Sequence, residues 1–269
     1  MSLPTPGPDR TAVVTGASSG IGAAIAKELA RRGQQVTLVA RSADKLAALA
    51  DDIAASGVRA DVLPADLADR ATRADLLSRV QALGLEPSIL VNNAGLSTLG
   101  PAAKADPVAE MAMVELDVVA VIDLTVRFLP GMVERGSGAI LNVASTAAFQ
   151  PLPGQSGYGA SKAFVLSYSQ SLAGELRGTG VHITALCPGP VATGFGQAAG
   201  FTPEEEQVLP KFMWESVESV AKTGVDGLAK GRMVAIPGAV NRVAASFAQV
   251  TPRSLLVPLL ARQHPGLKD

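Results

Sequence analysis

The sequence has a single cysteine, Cys187, so an internal disulfide is impossible. That fits a reducing compartment, and a cytoplasmic location is expected. Only two histidines occur, His182 and His264, far apart in the chain. No His/Cys cluster suggests zinc, and no metal is expected. Neither sign of charge dominates: 23 Lys and Arg stand against 24 Asp and Glu. Such a balance argues against a nucleic-acid or acidic-membrane partner. Long apolar spans are missing as well. Residues 139–161 carry no charge, but Pro151, Pro153, Gly154, Gly157 and Gly159 interrupt them. They divide into strand, loop and helix, so no transmembrane span is expected.

What remains is a chain of 269 residues, 48% hydrophobic and 17% charged, able to bury a sizeable core. Residues 1–10 hold three prolines and no apolar core, which predicts a disordered lead-in rather than a signal peptide. Short apolar runs then alternate with helical patterns. Strands are expected at 11–16, 35–41, 58–64, 88–95, 138–145, 181–189 and 233–238. Helices are expected at 21–32, ended by Gly33, and from a Ser42 cap to Gly57. Others follow at 69–83, 107–129 and 157–177, then across much of 203–230 and in a tail at 239–269. Several strands are apolar almost throughout, which marks a sheet covered on both faces. The pattern predicts an α/β fold: a doubly wound parallel sheet, Rossmann-like, with about seven strands and helices on both faces. No linker or repeat interrupts it, so residues 11–269 are expected to form one domain.

"TGASSGIG" (15–22) lies between the first strand and the first helix. Gly16 permits a tight turn, Gly20 lets backbone approach a pyrophosphate, and Gly22 lets the helix pack on the sheet. The helix N-terminus adds free N–H groups and about half a positive charge. The spacing is G-x-x-x-G-x-G rather than G-x-G-x-x-G. The bland alternative is a glycine-rich turn without a ligand. An NAD site usually carries an acid about 20 residues on, at the end of the second strand. Here that position reads Ala40-Arg41-Ser42. A guanidinium is well matched to a 2′-phosphate, so NADP(H) is expected, with Ser18 adding a hydroxyl. The alternative is a solvated charge at a strand end. Asp66 could accept from an adenine amino group or cap a helix, and Asp69 is the better cap. Asn92 and Asn93 could tie loops together or touch a ribose.

Tyr158 and Lys162, in "YGASK", are one helical turn apart and share a face. Ser145 closes the preceding strand. Holding a phenol of pKa ~10 ionised at pH 7 would need ~4 kcal/mol. A neighbouring ammonium and a nicotinamidium charge both favour the phenolate. Tyr158, Lys162 and Ser145 therefore read as a general acid/base set that moves a proton as a hydride moves.

Together, TGASSGIG, NNAG (92–95), Ser145, YGASK (158–162) and PGPVAT (188–193) resemble the short-chain dehydrogenases/reductases over about residues 11–238. The resemblance implies Tyr158 as acid/base, Lys162 as its electrostatic partner and Ser145 as substrate orienter. It implies cofactor contacts at Gly16, Ser18, Ser19, Ile21, Arg41, Asp66, Leu67, Asn93, Tyr158, Lys162, Val191 and Thr193. It also implies a homodimer or homotetramer. One position departs: where the family often has an asparagine, counting back from Pro130 lands on Asp117. Asp117 could hold a water through its backbone carbonyl or pair with Lys162, and a shifted pH optimum is expected.

Residues 194–214 read as a lid carrying Phe195, Phe201, Phe212, Met213 and Trp214. With 96–100 and 149–153 at the same mouth, they point to a lipophilic carbonyl or alcohol substrate, or equally to core packing. The tail at 241–263 is expected to pack on the body or on a neighbouring subunit, with membrane-surface contact a weaker alternative. Two other readings compete: a non-catalytic NADP(H) sensor, and a different Rossmann-like enzyme such as a methyltransferase. The intact Ser145, Tyr158 and Lys162 argue against the first, and the loop spacing and Arg41 against the second.

Overall fold

The computed structural model describes residues 3–206 and 210–267. Strands β1 (Arg10–Thr15), β2 (Val36–Ala40), β3 (Ala60–Pro64), β4 (Glu86–Asn92), β5 (Gly138–Val143), β6 (Val181–Leu186) and β7 (Val234–Ala235) form one parallel sheet. Their order is β3-β2-β1-β4-β5-β6-β7. The order reverses between β1 and β4, and ligands bind at the strand carboxyl ends beside such a switch.

The helices are α1 (Gly20–Arg31), α2 (Ala43–Ala54), α3 (Arg70–Ala82), α4 (Pro107–Val114), α5 (Ala120–Glu134) and α6 (Ser156–Glu175). After β6 come the short α7 (Phe195–Ala198) and α8 (Pro203–Glu206), then α9 (Val217–Ala229), α10 (Ala239–Val250) and α11 (Arg253–Gln263). The apolar strands are explained by their two faces. Ala12, Val14, Leu38 and Val91 pack toward Ile25 and Leu29 of α1, Leu46 of α2 and Val220 of α9. Val13, Val39, Leu90 and Ile140 point the other way, toward Leu76 of α3, Phe128 of α5 and Leu172 of α6.

Local chemistry sets the element ends. Gly33 closes α1 at φ 81°, in the left-handed region. Asp69 caps α3, accepting from Thr72 N at 2.8 Å, and Asp106 caps α4, accepting from Val108 N at 3.0 Å. Ser42 occupies the cap position of α2, but its side chain makes no capping bond.

Two further expectations change. Residues 3–9 lie against the body instead of hanging free. Gln34 Nε2 donates to Pro4 O at 2.8 Å, Gln35 Nε2 to Gly7 O at 2.6 Å, and Leu3 packs on the core. These residues offer carbonyls that two glutamines need. The helix after β4 does not stop at Leu129. It passes through a π-helical segment at Glu115–Val119 and through Pro130 to Glu134. Pro130 removes one ladder hydrogen bond, but the stripe Val121, Leu124, Phe128, Met132 stays buried across it, and that burial outweighs the loss.

The tail packs on the body. Ala245, Ala248 and Leu256 are buried, and Arg253 Nη2 donates to Phe149 O at 3.3 Å. Among the described residues, no helix is long and apolar enough to cross a membrane.

Candidate active site

β5 delivers Ser145 and α6 delivers Tyr158 and Lys162 to the carboxyl edge. Ser145 Oγ accepts from Ala147 N at 3.1 Å, capping the turn Thr146–Phe149, so the hydroxyl is fixed. Lys162 Nζ lies 5.5 Å from the Tyr158 ring centroid, and the Phe195 ring lies 5.9 Å from the same phenol. Burial raises the Tyr158 pKa above its ordinary value. The Lys162 charge and a Ser145 hydrogen bond oppose that rise, and Asp117 adds to it. Burial works against the Lys162 charge, but Asp117 and Tyr158 outweigh it and the lysine pKa is raised. Lys162 is thus a permanent cation at neutral pH.

Asp117 is the partner of Lys162. The carboxylate is buried within the π-helical segment, with Oδ2 2.9 Å from Nζ. Oδ2 accepts no aligned hydrogen bond, so the attraction is chiefly Coulombic. Oδ1 accepts from Leu96 N at 2.7 Å, which pins the loop after β4. Lys162 also donates to Val143 O at 3.4 Å. Gly95 makes room for the pair. A Cβ there would sit 3.1 Å from Asp117 Oδ1 and 3.3 Å from Nζ. π-bulges frequently occur at functional sites, and this one carries the site's only buried carboxylate among the described residues.

The glycine loop is built for close approach. Gly16 (φ 63°) and Gly20 (φ 54°) take left-handed backbone. A Cβ on Gly22 would meet Gly16 O at 2.3 Å and Asn93 Nδ2 at 2.4 Å. Asn93 is committed to that loop, donating to Thr15 O at 3.0 Å and Gly16 O at 3.2 Å. Its side chain is therefore a scaffold. Asn92 is also structural, donating to Asn142 Oδ1 at 2.9 Å and Thr125 Oγ1 at 3.2 Å.

The other expected cofactor residues line the same edge. Ser18 is half-buried and Ser19 is exposed at the α1 cap position, with no side-chain capping bond. Ile21 packs on the core. Arg41 is exposed just past β2 and has no hydrogen bond or ion pair among the described residues, so its fork is free. Asp66 Oδ1 accepts from Ala68 N at 3.0 Å in a local turn, and the carboxylate is otherwise exposed. The Leu67 side chain is buried and its carbonyl accepts from Arg73 Nη1 at 2.7 Å. Val191 bridges to Glu215. Thr193 lies against Gly20, 3.0 Å from where a Cβ would be, and accepts from Phe195 N at 3.3 Å. The loop's missing side chains and the unpaired Arg41 fit a dinucleotide carrying an extra phosphate.

Sequence reasoning missed Arg73. It is buried, paired with Glu115 and Asp123, and donates to Leu67 O and Ala68 O. It ties the segment after β3 to the π-helical turn that holds Asp117. Nothing in its local sequence marks it, because its carboxylate partners lie 42 and 50 residues away.

The fold is Rossmann-like, with Ser145, Tyr158, Lys162 and the glycine loop at one edge of the sheet. The family model described as short chain dehydrogenase matches residues 10–202, and the chain belongs to that family. A very-long-chain 3-oxoacyl-CoA reductase of Anas platyrhynchos is 41% identical over 195 residues, covering 70% of this chain and 62% of that protein. An NADP-dependent 3-hydroxy acid dehydrogenase of Salmonella typhi is 36% identical over 220 residues, covering 78% of this chain and 88% of that one. The solved structure of a short-chain dehydrogenase from Sphingobium yanoikuyae in complex with NADPH has a TM-score of 0.79 at 34% identity, covering 93% of this chain and 95% of that one. The chain spans only 61% and 62% of the length of the first two curated relatives it matches.

Proposed function

We propose that this protein is an NADP(H)-dependent oxidoreductase that interconverts a carbonyl and an alcohol on a lipophilic substrate. The observation that carries this reading is the juxtaposition of Tyr158, Lys162 and Ser145 at the carboxyl edge, beside a glycine loop and an unpaired Arg41. Relatives named as NADP-dependent or solved with NADPH support the cofactor. Bound there, the dinucleotide would supply or accept the hydride. Arg41 and Ser18 would hold its 2′-phosphate, and the α1 N-terminus its pyrophosphate. The Ser145 hydroxyl orients the substrate oxygen. The Tyr158 phenol gives its proton to that oxygen in reduction and takes it back in oxidation. Lys162 lowers the cost of the phenolate, and Asp117 keeps Lys162 charged.

Of the expected lid at 194–214, residues 207–209 lie outside the described residues; 194–206 and 210–214 act as a lid. Phe195, against the Tyr158 ring, supports that role and a lipophilic substrate. A homo-oligomer is supported by Val119, Val126 and Val133, exposed at heptad spacing along the π-helical segment and α5. Cys187 is buried and its pKa is pushed up to about 12 by that burial, so it takes no part.

The test is a parallel titration with NADPH and NADH, followed by nicotinamide fluorescence and quenching of Trp214, then turnover of lipophilic ketones with a Tyr158→Phe control. Tight NADPH binding and turnover lost in Tyr158→Phe are expected. Failure to bind either dinucleotide would sink the reading.

A further inference from the structure

The chain doubles back on itself after α11. A turn at Pro265–Leu267 brings His264 over the segment that leads into α6. His264 Nδ1 accepts from Gly266 N at 3.2 Å. The proton therefore sits on Nε2, which donates to Gln155 Oε1 at 3.2 Å. Gln155 Nε2 in turn donates to Ser97 Oγ at 2.8 Å. The direction of each bond fixes the next, so tautomer and amide orientation are mutually consistent. The imidazole also meets the Phe201 ring edge-on at 6.3 Å.

The approach is close on both sides. A Cβ on Gly154 would lie 2.3 Å from His264 Nδ1, and one on Gly266 would lie 2.6 Å from Leu99 Cδ1. Three segments distant in sequence thus converge on the tail: the loop after β4 through Ser97 and Leu99, the entry to α6 through Gly154 and Gln155, and the segment after α7 through Phe201. Two of them lead to Tyr158. Gln155 precedes it by one turn of chain, and Phe195, in the same segment as Phe201, rests on its ring.

We infer that His264 is a positioning residue that sets the size of the substrate site, by pinning the tail and the Phe201 segment to the rim beside Tyr158. The inference rests on the carbonyl-reductase reading. Its consequence is a preference for compact lipophilic ketones over those with a long chain. A tail docked only for stability would influence folding but not the choice between substrates.

The experiment uses the full chain, NADPH, and a short and a long aliphatic methyl ketone. In His264→Ala, kcat/KM for the long ketone relative to the short one should rise about tenfold, carried by KM, with NADPH affinity unchanged. His264→Gln keeps a donor for Gln155 and should return the ratio toward wild type. Gly154→Ala displaces the imidazole from the other side and should reproduce the alanine effect; it also decides the matter if His264→Ala does not fold. An unchanged ratio in both displaced variants overturns the inference alone. Wild-type protein that binds NADPH but reduces neither ketone overturns the carbonyl-reductase reading instead, and the inference with it.

Discussion

Lys162 Nζ and Asp117 Oδ2 are 2.9 Å apart and both side chains are buried. This ion pair joins the helix that carries Tyr158 to the π-helical turn after α4. It fixes the charge state of the lysine on which the phenol depends. The same negative charge works against the phenolate, so the site balances a held cation against a harder ionisation.

Asp117→Asn removes the charge that opposes Tyr158 ionisation. With Lys162 still held charged by the phenolate beside it, the phenol pKa should fall, because one of the two causes that raise it is gone. Alcohol oxidation needs the phenolate, so its rate rises with pH through that pKa. The rising limb should move to lower pH in the variant. A pH–rate profile that does not move would reduce Asp117 to a helix residue.

Arg41→Asp should invert the cofactor preference. The free guanidinium becomes a carboxylate that repels a 2′-phosphate and can accept from a ribose hydroxyl. NADPH affinity should fall by about 2–3 kcal/mol, the value of lost charge-assisted hydrogen bonds, while NADH affinity rises. Unaltered NADPH binding by fluorescence titration would return Arg41 to a solvated strand end.

Gly22→Ala forces a methyl to 2.3 Å from Gly16 O and 2.4 Å from Asn93 Nδ2. Backbone on one side and a doubly bonded amide on the other leave no easy relaxation. The helix must move off the sheet, with a loss of about 1–3 kcal/mol in stability, as for overpacking, and weaker NADPH binding. Denaturant midpoints and a dinucleotide titration test both effects, and a neutral substitution would show that the turn is looser than its contacts imply.

Arg73→Ala leaves Glu115 and Asp123 without their shared cation and two carbonyls without a donor. Removing one partner of a buried ion pair costs about 3–5 kcal/mol; the partly exposed carboxylates place this case near the lower end. Urea unfolding should show the loss. Because Glu115 belongs to the turn that holds Asp117, turnover should fall more than NADPH affinity does.

Local signals carried much of the protein in its sequence. Apolar runs of strand length gave the seven strands, since burial on both sheet faces needs no distant partner to be visible. Gly16 and Gly20 were legible because a tight turn demands glycine whatever surrounds it, and Gly22 because it follows them at the spacing where the first helix must pack closely. Tyr158 and Lys162 were legible because one helical turn places them together by spacing alone. Tertiary structure decided the rest, and in each case two distant segments had to meet. Asp117 stood open between a backbone role and a pair with Lys162, and the π-helical turn brings its carboxylate to 2.9 Å from Nζ. Asn93 stood open between ribose and scaffold, and the Thr15 and Gly16 carbonyls claimed it. Arg73 and His264 gave no local sign at all. Their partners come from other helices and loops, and spacing along a chain encodes contacts within an element, not between elements brought together by a shared core.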